Sequence, residues 1–276
     1  IIICALLFSC TEKKPEPVSY VNPYIGNISH LLVPTYPTVH LPNSMLRFYP
    51  DRDNYTTNTM SGFPLNVVSH RSGMVFNLIP FNGNAENIPE SIAYTYDNET
   101  ITPYGYSVTL DESDIDVKFA PAEKSGFFVF QFNGTENNGI ILRTTGLGEL
   151  AFENGSITGY DTNNGVKSYL SMEFDKMPDK INTRKNDTIY QESSVNGRRV
   201  AIIASLKSVG MGGLNIRYGL SYISSDQARK NLQDNIGNRS FGEISDNARK
   251  KWNAMLSKVE VEGGTQNQRT VFYTSL

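Results

Sequence analysis

The sequence predicts a mainly β protein, a large antiparallel β-sandwich followed by helices. Three observations carry that reading. From about Tyr94 to Ser224 the side chains alternate with period two in short runs rich in Val, Ile, Tyr and Phe, among them "YGYSVTL", "DIDVKFAP", "GFFVFQF", "GIILRTT" and "RRVAIIASL". Asn-Gly pairs at Asn133-Gly134, Asn138-Gly139, Asn154-Gly155, Asn164-Gly165 and Asn196-Gly197 punctuate them. Both residue types accept the positive φ that tight hairpin turns demand, so the pairs argue for consecutive antiparallel strands. At Ser224 the apolar period then lengthens to that of a helix.

The 276 residues, 39% hydrophobic and 19% charged, suffice for one large or two small domains. A formal charge of −3 with no Lys/Arg stripe excludes nucleic acid and anionic membrane surfaces as partners and suits a neutral ligand.

Taken in chain order, residues 1–19 come first. "IIICALLFSC" is apolar but too short to span a bilayer, and it reads as the end of a secretory signal. The small residue before Cys10 resembles a bacterial lipobox. Cleavage there leaves Cys10 as a lipidated N-terminus and "TEKKPEPVS" as a tether, which implies export to the cell envelope, as a periplasmic or outer-membrane lipoprotein. An ordinary signal peptide with an incidental Cys implies export as well. Cys4 and Cys10 are the only cysteines, so the remainder of the chain has no disulfide and no cysteine ligand or nucleophile.

Next come "VNPYIGNISH" and "TYPTVHLPNSMLRFYPD", too proline-broken for a helix and too polar for a core strand, hence a long exposed loop. "SGFPLNVVSHRSGMVFNLIPFNG", Ser61 to Gly83, has the same character. Together these loops carry His30, Tyr36, His40, Arg47, His70 and Arg71. Neutral sugars are held by aromatic faces and forked polar groups, because a sugar ring offers apolar C–H patches beside paired hydroxyls. Those six residues are the candidate substrate-binding set. The competing reading is that the loops only cap one end of the sandwich.

After the strands, "SSDQARKNLQDNIG" begins with the capping pair Ser224 and Gln227, spaces Ala228, Leu232 and Ile236 by four, and ends at Gly237. A second helix carries Ile244, Ala248, Trp252, Met255 and Leu256 on one stripe, which assigns Trp252 to a buried face and not to a ligand platform. "KVEVEGGT" reads as a short strand and turn, and "QNQRTVFYTSL" opens a third helix that stops in mid-pattern. Asp111, Glu112, Asp114 and Asp116 straddle a predicted hairpin and read as a solvated turn. "GMGGLNIRYG" lacks the strand-before, helix-after context of a phosphate loop. No histidine spacing fits zinc, and no GxSxG elbow occurs.

Five segments in order, "YVNPYIG", "TYPTVHLPNSMLRFYPD", "SYISSDQARKNL", Trp252 with Leu256, and "KVEVEGGTQNQRTVFYTSL", resemble the N-terminal half of glycoside hydrolase family 92. The resemblance implies a supersandwich-like N-terminal domain at 20–223, a helical linker at 224–258, and at 259–276 the first helix of a truncated (α/α)6 catalytic barrel. It also implies calcium-dependent, inverting hydrolysis of terminal α-mannosides in mannose-containing glycans. The acid, the base and the calcium ligands would lie in the missing barrel, so no residue here is assigned to catalysis or to metal, and this portion alone is expected to be inactive. Gly26, His30, Thr35, Tyr36, Pro37, Pro42, Met45, Pro50 and Asp51 match the family's loop in type. Thr38, His40 and Asn43-Ser44 stand where Gly, Thr and Phe-Gly are usual, and they reshape the pocket. The alternative function is a non-catalytic carbohydrate-binding lipoprotein.

Overall fold

A computed structural model describes residues 14–27, 36–54, 56–69, 73–134, 137–210 and 213–276. Two antiparallel sheets face each other. The smaller runs in the order β15-β14-β17-β10-β5-β4, from β4 (Phe63–Ser69), β5 (Gly73–Asn82), β10 (Asn138–Arg143), β14 (Lys180–Lys185), β15 (Thr188–Tyr190) and β17 (Ala201–Leu206). The larger has ten strands, β16-β11-β12-β13-β18-β9-β8-β7-β6-β3. These are β3 (Thr59–Met60), β6 (Tyr94–Thr102), β7 (Gly105–Leu110), β8 (Ile115–Pro121), β9 (Ser125–Phe132), β11 (Leu147–Glu153), β12 (Ser156–Asn163), β13 (Val166–Phe174), β16 (Ser194–Arg198) and β18 (Leu214–Ser221). A small hairpin, β1 (Val39–His40) with β2 (Arg47–Phe48), lies beside them.

Strand β9 shows how period two builds the layers. Phe128, Phe130 and Phe132 face the core between the sheets, while Phe127 and Val129 point the other way, towards Leu232, Ile236 and Ile244 of the helices. The large sheet is therefore apolar on both faces, with one face covered by the small sheet and part of the other by α1 (Ser225–Asn235) and α2 (Phe241–Leu256). Helix α1 comes so close to β18 that a Cβ on Gly219 would stand 2.2 Å from the Ala228 carbonyl oxygen, so only glycine fits there. Ser224 caps α1 by accepting from the Gln227 N–H, but the Gln227 amide bonds Asn231 and does not return to Ser224. Complete capping boxes start the other two helices, Ser240 with Glu243 for α2 and Thr265 with Gln268 for α3 (Gln266–Ser275).

The five runs quoted from the sequence, "YGYSVTL" to "RRVAIIASL", all contain strands. Several local expectations are corrected. Of the five Asn-Gly pairs, Asn154-Gly155 and Asn164-Gly165 have positive φ at both residues. Asn138-Gly139 and Asn196-Gly197 lie inside β10 and β16, and a third two-residue turn is Asn186-Asp187. The segment from Ser61 to Gly83 is not a loop, since it supplies β4 and β5. Pro64 is tolerated because β4 is an edge strand, and Pro80 lies past the last β4 pairing, Phe63 with Leu78, so neither costs the sheet a ladder bond. Nor is the stretch from Tyr36 to Asp51 an exposed loop: Val39, Leu41, Leu46, Phe48 and Tyr49 are all buried. "KVEVEGGT" forms no strand; it is turn and irregular chain between α2 and α3. The acidic turn does hold, with Asp116 accepting from Thr109 at 2.7 Å and from Asn133 at 3.1 Å.

Candidate functional site

The β1–β2 hairpin places His40 directly opposite Arg47. Its connection is drawn tight by Asn43, at φ 58°, and by Ser44, whose Oγ accepts from the Leu41 N–H at 3.2 Å and donates to the Leu46 carbonyl at 2.8 Å. Outside support comes from helix α2. Trp252 Nε1 donates to the carbonyls of His40 (2.8 Å) and Pro103 (3.0 Å). The next residue back, Lys251, pairs with Glu123 at 2.6 Å, and the Glu123 carbonyl accepts the N–H groups of Met45 and Leu46. Two consecutive helical residues thus hold both ends of the hairpin.

Beside the hairpin is a cavity of about 260 Å³ whose lining includes His40, Asn43, Arg47, Asn66, Val68 and Tyr222. The Asn66 side chain is buried; its Oδ1 accepts the Arg47 N–H at 2.9 Å and its Nδ2 reaches Tyr222 Oη at 3.4 Å. The Arg47 guanidinium makes no hydrogen bond or ion pair among the described residues, so its donors remain available to an oxygen-rich ligand. The His40 ring tilts against Trp252 at 5.6 Å, and its Nδ1 lies 3.1 Å from the Leu41 carbonyl. A carbonyl only accepts, so that contact is a hydrogen bond when Nδ1 carries the proton. Burial pushes the His40 pKa below its ordinary 6.5, which favours the neutral ring.

Tyr36 belongs to a second cluster. Its ring stacks on Tyr49 at 4.3 Å and its hydroxyl donates to the Asp53 carbonyl at 3.0 Å. Beneath it Arg52, 7% exposed, donates to Tyr49 Oη (2.5 Å), Tyr96 Oη (2.5 Å) and Glu99 Oε1 (2.8 Å), and Tyr106 Oη also donates to Glu99. Asp51 adjoins this group and accepts from Asn77 Nδ2 at 2.9 Å. Burial raises its pKa, against the opposing pull of Arg143 and Asn77.

Of the six candidate binding residues, His40 and Arg47 therefore share one cavity and Tyr36 stands apart on the arginine–tyrosine cluster. His30, His70, Arg71 and the lipidation candidate Cys10 lie outside the described residues. Sequence reasoning passed over Asn66 and Tyr222, because one sits in a segment read as loop and the other at the tail of a strand run. It also missed the hydrogen-bonding role of Trp252, whose face it did assign: the indole is half-buried against the cluster of Val18, Leu256 and Tyr273.

Comparison with known proteins follows the same outline. Residues 20–221 match the Glycosyl hydrolase family 92 N-terminal domain, and residues 227–276 match the Glycosyl hydrolase family 92 catalytic domain. Among solved structures, a family GH92 inverting mannosidase from Bacteroides thetaiotaomicron superimposes with a TM-score of 0.87 at 26% identity, over 96% of this chain and 39% of that one. A family GH92 α-mannosidase from the same organism gives a TM-score of 0.84 at 20% identity, over 95% and 40%. A bacterial glucoamylase shares the fold more distantly, with a TM-score of 0.56 at 9% identity over 86% and 39%. No curated protein matches. The chain spans about 39% of the length of the first of these solved relatives. Matched over its sandwich by one family domain and over its helices by the next, the chain belongs to glycosyl hydrolase family 92 and comprises the N-terminal β-sandwich with the start of the helical catalytic domain.

Proposed function

We propose that the chain is the sandwich portion of an exported exo-α-mannosidase and that the His40–Arg47 cavity contributes one wall of its sugar site. The observation that carries the reading is the superposition on an inverting mannosidase over 96% of the chain. A relative in this family has been solved in complex with mannoimidazole, which makes a mannose-containing glycan the substrate class to test first. In an inverting step one carboxylic acid protonates the leaving oxygen while a carboxylate on the opposite face activates water. Both carboxylates belong, in this proposal, to the catalytic barrel, and the sandwich portion is inactive without it.

The resemblance also implies calcium. Among the described residues no three His, Cys, Asp or Glu side chains converge in a way that fits an ion, and in this proposal the calcium ligands belong to the barrel. Cys10 would anchor the protein to the cell envelope through lipid, a proposal checked by metabolic labelling with a fatty acid in the wild type and in Cys10→Ser.

The test is to sequence the gene beyond Leu276, express whatever barrel it encodes together with this chain, and assay release of mannose from α-mannosides. Activity that falls at least about tenfold in kcat/KM in Arg47→Ala, the loss expected for a charged hydrogen bond, supports the reading. A stop codon after Leu276 with saccharide binding retained would favour the non-catalytic carbohydrate-binding lipoprotein. Hydrolysis indifferent to Arg47→Ala would remove the cavity from the active site.

A further inference from the structure

The far edge of the sandwich carries a second cavity. The β15 and β14 end of the small sheet and the β16 and β11 end of the large one lie opposite the edges formed by β4 and β3, and the His40–Arg47 cavity adjoins β4. Between these far edges is an open, polar-lined hollow of about 500 Å³. That size falls within the range of about 300–1,000 Å³ typical of small-molecule sites.

Its lining is chemically specific. Tyr190, on the outermost strand, is 42% exposed and lines the hollow. Around it stand the carboxylates of Glu149 and Glu192, the amides of Asn186 and Asn196, and the Lys185 ammonium. None of these five polar side chains makes a hydrogen bond or ion pair among the described residues. Thr183 also lines the hollow; it is wholly buried, and its Oγ1 has no partner. Unspent donors and acceptors around an exposed aromatic ring are what a ligand with hydroxyl groups would complete.

The balance of groups narrows the ligand. Two carboxylates and one ammonium leave one net negative charge, which disfavours phosphates and acidic sugars. The ammonium in the same ring opposes a divalent cation, and the lining holds only two His, Cys, Asp or Glu side chains. A neutral sugar fits both demands, since each hydroxyl donates and accepts and the C–H face of its ring packs on an aromatic. We propose that this hollow is a second saccharide-binding site, which holds an uncharged stretch of a glycan away from the His40–Arg47 cavity. The proposal rests on this hollow alone and survives whatever becomes of the hydrolase reading.

The experiment is isothermal titration of the 276-residue chain with α-1,2-mannobiose, cellobiose and lactose, and separately with calcium chloride. At least one disaccharide should bind, its affinity should fall at least about tenfold in Tyr190→Ala and in Glu149→Gln/Glu192→Gln, and it should be unchanged in Arg229→Ala, an exposed position on α1 that lines neither cavity. All the substituted side chains of the hollow are exposed, and unaltered circular dichroism confirms that these variants fold. Binding lost in Arg47→Ala but retained in Tyr190→Ala would assign the sugar to the other cavity and overturn the proposal. Binding of calcium alone, or of no disaccharide, would overturn it too.

Discussion

Trp252 Nε1 donates to the main-chain carbonyl of His40 at 2.8 Å, joining residues 212 positions apart. The contact ties a helix in the segment matched to the catalytic domain to the hairpin that forms the candidate sugar wall. Any displacement of α2 is thereby felt at the cavity.

Trp252→Phe keeps an aromatic ring against Val18 and Leu256 but removes the donor to His40 and Pro103. Each neutral hydrogen bond contributes about 1 kcal/mol net. The expected result is a loss of about 1–2 kcal/mol in urea unfolding with an unchanged m value. A variant as stable as the wild type would show that the hairpin is held by its own turn.

His40 gives a pH signature with a definite sign. The unfolded chain takes up the proton near the ordinary 6.5, and the buried ring only at lower pH. Between those values the unfolded state binds more protons, so stability falls as pH drops through the window and levels off below the folded value. His40→Gln removes the titration and retains a polar side chain near Leu41; alanine would also leave a gap beside Trp252. The melting temperature of the wild type should therefore decline more steeply on acidification than that of the glutamine variant. Equal slopes would contradict the burial effect.

The Arg52–Glu99 pair is buried on the arginine side and nearly so on the other, with side-chain exposures of 0% and 13%. Removing one partner of a buried pair costs about 3–5 kcal/mol, since the other is left uncompensated. Glu99→Gln should show a loss of that order by thermal or chemical unfolding. Arg52→Lys should lose most of it, because one ammonium cannot reproduce a fork that reaches Tyr49, Tyr96 and Glu99 together. A double-mutant cycle with no coupling would demote the cluster to incidental packing.

Gly219→Ala tests how α1 seats on the large sheet. The added methyl would meet the Ala228 carbonyl at 2.2 Å and Leu232 N at 2.7 Å, both main-chain atoms that cannot rotate aside. Overpacking of this kind costs about 1–3 kcal/mol. A smaller penalty, read from chemical unfolding, would mean that the helix can lift from the sheet.

Much of this was legible in the residues themselves. Period two in β7 to β9, the turns at Asn154-Gly155 and Asn164-Gly165, and the N-cap Ser224 are local matters, settled by side-chain alternation and backbone preference within a few positions. The family, too, was readable from motifs that lie in order along the chain. What the sequence could not decide was context over long distances. Pro64 and Pro80 read as loop residues until the sheet order placed one on an edge and the other beyond its neighbour's end. The segment around Val39 and Phe48 read as exposed because it is proline-broken and polar in composition, yet those side chains enter the core. His40 and Arg47 become partners of Asn66, Tyr222 and Trp252 only when a strand, a strand end and a helix, each far away in sequence, close around the hairpin. Local preference fixes which elements form; only the packing of the two sheets and α2 determines which polar groups are left free to meet a ligand.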